Sequence, residues 1–521
     1  MTRDRTPLKL MTAACALSAF AALGLPGAAS AASKKDTLID GTTDTVTALD
    51  PAGQYDYGSD TADREIFQHL MGLPAGGGTP VPELATKCSA DDSQTTWTCE
   101  LRKGVKFSNG DDFTSEDVKF SFDRVVKIHD ASGIWGLLAN MKEVATDGPD
   151  KVVFHLKNPQ STWPYILATS AGYIVDHKVY PADKLQPSTS PQVGTGPYKL
   201  VKYVPSQIAV YKAREDFWGT KPKIPNLIIN YFAKSSTMKL ALQKGEIDMA
   251  FRSFSPTELT SLQGAKGIKV HKGPGVSIRY LTLDTKRAPT NKLAVRQALA
   301  YLMPREAIAK QVYHGFVQPL YSMVPAGLPG HEDAFAKMYG KTPDKAKAAE
   351  VLKKAGIKTP VDLTIWWTPS HYGAASAEEF TQIQRAMNAS GLFKITLKSA
   401  EWATYSKTLG TQYDAFQLGW FPDYPDAENY LTPFYESDSN FTSNGYDSKD
   451  MDAILTKEKG AKTDEERMKY VKEAQDLAAK DVPIIPYFQQ AMVAVARDNV
   501  HGIDKTLDTT FLMRFWMLSK S

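Results

Sequence analysis

The chain has 521 residues, 42% hydrophobic and 23% charged, with 61 Lys+Arg against 58 Asp+Glu and a formal net charge of +3. Those proportions belong to an ordinary globular protein and exclude disordered, collagen-like or disulfide-dense classes. So small a charge gives no reason to expect nucleic acid as a partner.

Arg3, Arg5 and Lys9 precede an apolar run from Leu10 to Leu25, which Pro26-Gly27 breaks before Ala29-Ser30-Ala31. This reads as a secretory signal peptide over residues 1–31 with an A-x-A cleavage site, so the mature chain begins near Ala32 and is exported. Thr12-Ala13-Ala14-Cys15 has small residues where a lipoprotein signal would have them. Too few apolar residues precede Cys15 to make an h-region of the usual ~7–15, and a lipid anchor there is not favoured. No later stretch approaches the ~18 uncharged apolar residues of a membrane span.

Only Cys88 and Cys99 remain after cleavage, flanking a turn at Ala90-Asp91-Asp92-Ser93. In an exported protein the pair reads as a disulfide across a hairpin rather than a metal site. Thr114 with Asp117 then opens a helix carrying Val118, Phe122 and Val125 as a capping box, and Val152–Leu156 reads as a strand. Gly194-Thr195-Gly196 lacks the glycines and Lys-Ser/Thr of a phosphate loop and reads as a tight turn entering the strand Tyr198–Tyr203.

Strands follow at 227–232 and 278–283. Thr342-Pro343 and Gly356 bracket a helix over Lys345–Ala355. Strand 363–367, a helix opened by Ser376 with Glu379 and carrying Phe380, Ile383 and Met387, and strand 393–397 form a βαβ unit with parallel strands. A strand at 415–419 and a helix opened by Thr463 with Glu466 complete an α/β pattern without a flexible linker.

Enzyme signatures are sparse. There is no Gly-x-Ser-x-Gly and no His-Glu-x-x-His, and the nine histidines are scattered singly, so no metal site is expected. Acidic residues are plentiful and no pair stands out, which leaves a glycosidase-like carboxylate pair open.

Four segments in order resemble the substrate-binding proteins of ABC importers in the oligopeptide/dipeptide/nickel family. They are Cys99–Gly110 running into Phe113–Val118; Val193–Leu200; Val295–Tyr301 with Arg305–Ile308; and Gly419-Trp420-Phe421-Pro422-Asp423-Tyr424-Pro425-Asp426, followed by Pro483–Tyr487. Pro304 departs from the family's usual Asp before Arg-Glu.

The resemblance implies a two-lobed, periplasmic-binding-protein-like α/β fold (type II-like, cluster C). Lobe 1 would be 32–275 with an extra subdomain at about 63–190, lobe 2 would be 276–484, and 485–521 would return to lobe 1. It implies a monomer with no chemistry of its own and no cofactor, which closes on a di- or oligopeptide and delivers it to an ABC permease. A nickel chelate, haem, an oligosaccharide or an opine-like compound is the alternative ligand, and a secreted hydrolase the rival from another class.

Residue by residue, the resemblance places Asp423 on the ligand's α-amino group and Trp420 and Trp402 on the pocket wall. Tyr55 and Tyr57, with Gly58, fall on the stretch whose backbone pairs with the peptide, and Tyr424, beside the aspartate, is a further ligand contact.

Overall fold

A computed structural model describes residues 35–369, 371–373 and 375–521. The signal peptide and Cys15 lie outside the described residues. Two large mixed sheets and one small antiparallel sheet carry the architecture.

The first sheet has seven strands in the order Ile268–Gly273, Met492–Arg497, Met249–Phe251, Thr37–Thr42, Asn226–Tyr231, Ile208–Ala213 and Tyr198–Val204. Thr37–Thr42 runs parallel to both of its neighbours and the other pairings are antiparallel. The second sheet has six strands in the order Val317–Pro319, Ile484–Gln490, Ile278–Leu283, Ala415–Trp420, Val361–Trp367 and Phe393–Ser399. The third, inserted between the first two strands of the first sheet in chain order, is Ala85–Ala90, Thr96–Leu101, Lys151–Leu156 and Met141–Thr146.

Cys88 and Cys99 stand directly opposite each other in the small sheet and are disulfide-bonded. The helix Ser115–Ile128 covers this sheet with Val118, Phe122 and Val125 buried, and its Thr114–Asp117 capping box forms as expected.

The βαβ unit is present, with Val361–Trp367 parallel to Phe393–Ser399 and the helix Ser376–Ala389 between them. Phe380, Ile383 and Met387 are fully buried at helical spacing. Removing side chains of this size from water stabilises the fold by about 1.5–3 kcal/mol each. The expected capping box does not form here: Ala375 is the N-cap, and Glu379 turns inward to accept hydrogen bonds from Tyr313, Tyr487 and Gln417. Three buried donors outcompete one orphan backbone N–H. The helix expected over Lys345–Ala355 forms over Lys345–Lys354, but its cap is Asp344, which accepts from the Lys347 N–H, rather than Thr342 followed by Pro343.

Strand Ile484–Gln490 belongs wholly to the second sheet, and the next strand, Met492–Arg497, to the first. The two passages between sheets run side by side, the Gln490 N–H donating to Ser277 O at 2.8 Å. Gly275 is required there, since a Cβ would stand 1.8 Å from Gln490 O.

Candidate functional site: an acidic cavity at the end of a central strand

Ala415–Trp420 is buried at every position but its last, between antiparallel Ile278–Leu283 and parallel Val361–Trp367. Pro422 and Pro425 follow. Proline lacks the N–H that a ladder needs, so the strand ends there and the chain turns out of the sheet. Asp426 closes the turn by capping the short helix Ala427–Tyr430, accepting from the Glu428 N–H. Asp423 is thereby held at the carboxyl end of a central strand, where open α/β sheets place their ligands.

Asn429 fixes the turn from behind. Its Oδ1 accepts from the Asp423 N–H at 2.9 Å and from Trp420 Nε1 at 3.0 Å, while its Nδ2 donates to Asp423 Oδ2 at 3.0 Å. The other carboxylate oxygen accepts from the Tyr55 hydroxyl, 368 residues away in sequence. Tyr57 adds a second bridge, its hydroxyl donating to Pro422 O at 3.2 Å.

Tyr55 comes from the segment between the turn Pro51–Gly53 and the helix Tyr57–Asp63, and Tyr57 opens that helix. Asp50 anchors that segment: fully buried, it caps the turn and receives both Nη groups of Arg124. Gly58 is needed for a different contact from the one expected, because its missing Cβ would stand 2.1 Å from Thr45 O, within the protein itself.

These groups wall a cavity of about 400 Å³, with Tyr55, Tyr57, Asp423 and Tyr424 on its surface beside Asp60, Arg64, Phe421 and Phe511. Four of the six expected contact residues are therefore brought together. The two tryptophans are not among its lining residues. Trp420 packs edge-on against Phe434 at 5.1 Å and holds Asn429, so it braces Asp423 from the rear. Trp402 lies flat on His371 at 3.7 Å between ring centroids, and it is His371 that reaches the cavity.

Burial pushes the Asp423 carboxyl above the usual carboxylate range, against the hydrogen bonds from Tyr55 and Asn429 that favour its charged form. Among the described residues no cation pairs with it. A half-buried carboxylate held only by neutral donors is equipped to receive a cation from outside the protein.

Sequence reasoning missed His371, Phe421 and Phe511. Phe421 sits inside the very segment that carried the resemblance, but nothing in its spacing marks it. Phe511 adopts a left-handed backbone at φ 62°, and packs edge-on to Tyr57 at 4.9 Å. Such strain persists where surroundings over-determine a residue, which no sequence pattern reports.

Among the described residues one cluster could offer ligands to a metal: Asp117, Asp176 and His177, whose donor atoms lie within 4.8 Å of one another. Each is already engaged. Asp117 closes the capping box and accepts from the His177 N–H, and Asp176 accepts from Asn109.

Residues 79–442 match the family model of bacterial extracellular solute-binding proteins, family 5. The chain is 29% identical over 485 residues to a dipeptide-binding protein of Pseudomonas aeruginosa, covering 87% of this chain and 90% of that one. It is 28% identical over 505 residues to the glutathione-binding protein GsiB of Salmonella choleraesuis, covering 94% and 97%. Among solved structures it resembles the periplasmic binding protein DppA of Helicobacter pylori in complex with the peptide STSA. That match has a TM-score of 0.76 and 24% identity, covering 93% of this chain and 98% of that one.

Proposed function

The chain belongs to the bacterial extracellular solute-binding proteins of family 5, and from that premise we propose that it captures short peptides at Asp423 and delivers them to an ABC permease. Its fold is the two-lobed α/β fold of periplasmic binding proteins, with the small disulfide-bonded sheet as the added subdomain. The lobes correspond to the two large sheets, and the ligand lies between them.

The observation that carries this reading is the Asp423 carboxylate. It faces a cavity, has no cation of its own, and is touched from across that cavity by Tyr55. A peptide's α-ammonium supplies the missing charge, and the aromatic walls of Tyr57, Phe421, Tyr424 and Phe511 supply apolar contact without reading sequence. Tyr55 and Tyr57 then act as the closing latch, since their hydroxyls bond the turn that bears Asp423.

The protein acts outside the cytoplasm, as a monomer, and catalyses nothing. Among the described residues no helix is long and apolar enough to cross a membrane.

Mass spectrometry of the purified mature protein under native conditions tests the reading. Unaltered peptides released on denaturation are expected. Cleaved peptides would favour a hydrolase, and a retained non-peptide compound would favour the alternative ligand classes. Opening turns on the paired passages at Gly275 and Gln490, so solution scattering is expected to give a smaller radius of gyration with saturating peptide than without.

A further inference from the structure

The inserted unit that carries the small disulfide-bonded sheet also reaches across the cleft. Its loop 157–162 leads into the short helix Trp163–Ile166, and the Ser161 N–H donates to Lys459 O at 3.2 Å. Lys459 ends the helix Lys449–Lys459, and the carbonyls of a helix's last turn find no partner within the helix. The inserted unit supplies one.

A second contact lies close by. Tyr165 is 6% exposed, and its ring centroid stands 5.9 Å from that of Tyr424. Burial, and after it the Asp426 carboxylate, pushes the Tyr165 hydroxyl up. Tyr424 and Asp426 belong to the turn that bears Asp423. Tyr55 and Tyr57 hold that turn from one side, and Tyr165 holds it from the other. The same segment then runs on to the cavity wall, where Ala168, Thr169 and Ser170 face the space beside Asp423, while Tyr165 itself is not among the lining residues.

The segment is braced against its own unit. Trp163 is fully buried, its ring 5.5 Å from that of Phe154 in the small sheet. The Gln160 N–H donates to Gln94 O at 3.1 Å, and Gln94 stands in the hairpin turn that the Cys88–Cys99 disulfide closes. The unit is in turn fastened to the first sheet's side: Arg124 grips Asp50 with both Nη groups, and the Tyr173 hydroxyl donates to Asp60 at 2.9 Å. Fastened at both levels, Ser161 and Tyr165 cannot follow the second sheet when the cleft opens. Their contacts break together. Ser161 Oγ and Gln94 Oε1 are buried without a hydrogen-bond partner, so opening returns polar atoms to water, and the junction is built to come apart rather than to stay shut.

We propose that the inserted unit is a second clasp of the cleft, which docks Ser161 on Lys459 and Tyr165 on the Asp423 turn at closure and so sets how long a peptide is retained. This rests on the reading that the cleft closes on a peptide. Tyr165 is a positioning residue in it, acting on the site through Tyr424.

Ser161 follows Gln160 in a turn closed by the Trp163 N–H on Gln160 O at 3.2 Å, a position that suits proline. Ser161→Pro therefore removes the donor to Lys459 and keeps the turn. The test times the release of Ala-Ala and Ala-Ala-Ala from the mature protein into an excess of unlabelled peptide. Release is expected to be about two- to tenfold faster in Ser161→Pro, the worth of one hydrogen bond. Tyr165→Ala should release faster still, and Tyr165→Phe, which keeps the ring on Tyr424, should stay close to the unmodified protein. A merely structural role would lower the thermal melt and the hydrogen-exchange protection of strand Lys151–Leu156, and both are expected to hold in Ser161→Pro. Should Tyr165→Ala fail to fold, Ser161→Pro decides alone. Release unchanged in Ser161→Pro overturns the proposal.

If neither peptide is retained, it is the peptide reading that loses support, and the clasp is read on the unliganded protein. Exchange of the Ser161 amide about fivefold or more slower than that of an unbonded surface amide, with a larger radius of gyration in Ser161→Pro, supports it. Exchange at the unbonded rate overturns it.

Discussion

Asp423 and Asp426 stand three residues apart in one proline-bounded turn, and their surroundings give them opposite roles. Asp426, 2% exposed, is gripped by both Nη groups of Arg467, whose Nε donates in turn to Glu458 at 2.6 Å. Asp423 has only the neutral partners Tyr55 and Asn429, and it opens onto a cavity. A carboxylate that owns a buried cation is an anchor, and one that lacks a cation is a receptor. The residue type and the motif are the same, so the partner decides.

The contrast breaks most visibly at the anchor. Asp426→Asn keeps the shape but removes a charge from the buried triad, leaving Arg467 with Glu458 alone. Destabilisation of about 3–5 kcal/mol is expected from breaking such a pair. Urea denaturation reads it, and peptide affinity well below the unfolding transition should stay within a few-fold of the unmodified protein. An unchanged urea midpoint would mean that the turn is held by its prolines and Asn429 rather than by the ion pairs.

Asp423→Ala should give the mirror image. A buried ammonium deprived of its carboxylate costs about 2–5 kcal/mol of binding, mostly through faster dissociation. Folding loses only the hydrogen bonds from Tyr55 and Asn429, worth about 0.5–1.5 kcal/mol each. Calorimetry with a retained peptide, beside a thermal melt, checks both halves. Unchanged affinity with an unchanged melt would point to a ligand without a free amine.

How far these roles could be read from the sequence follows the range of the interactions. The βαβ unit, the hairpin disulfide and the helix Ser115–Ile128 are set by local spacing, and they are legible. The inward turn of Glu379 is not, because Tyr313 and Tyr487 lie 66 and 108 residues away. Asp423 was legible only through resemblance: as a turn residue before Pro425 it is unremarkable. The tryptophans mark the opposite limit. Resemblance put Trp402 and Trp420 near the pocket, but which ring reaches it depends on the stack with His371 and the bond to Asn429, and neither is written in the spacing.

A smaller effect is expected at His371, where burial and the neighbouring Arg279 cation hold the imidazole down to about 4. Its ring protons should therefore titrate well below the ordinary histidine range near 6.5. In Arg279→Lys a positive charge remains and the midpoint should stay low. In Arg279→Met it should rise. A midpoint near 6.5 in the unmodified protein would remove Arg279 from the neighbourhood of the cavity.

The last prediction sharpens the receptor itself by separating its effect on binding from its effect on folding. The Asp423 pKa is raised by burial above 3.8, so the folded state favours the neutral acid more than the unfolded chain does. Stability from this group is then fully present below the unfolded value and lost as pH rises through the folded one. Affinity for an ammonium runs the other way, because only the carboxylate attracts it, and is lost as pH falls through the same value. Comparing the unmodified protein with Asp423→Asn isolates the group from other buried acids: the melt of the unmodified protein should fall relative to the variant as pH rises, while its affinity advantage grows. Tyr55→Phe removes a hydrogen bond that favours the charged form, so it should move both changes to higher pH. If Tyr55→Phe left both midpoints in place, the Tyr55 contact would be a latch between the lobes and not a means of keeping Asp423 ionised.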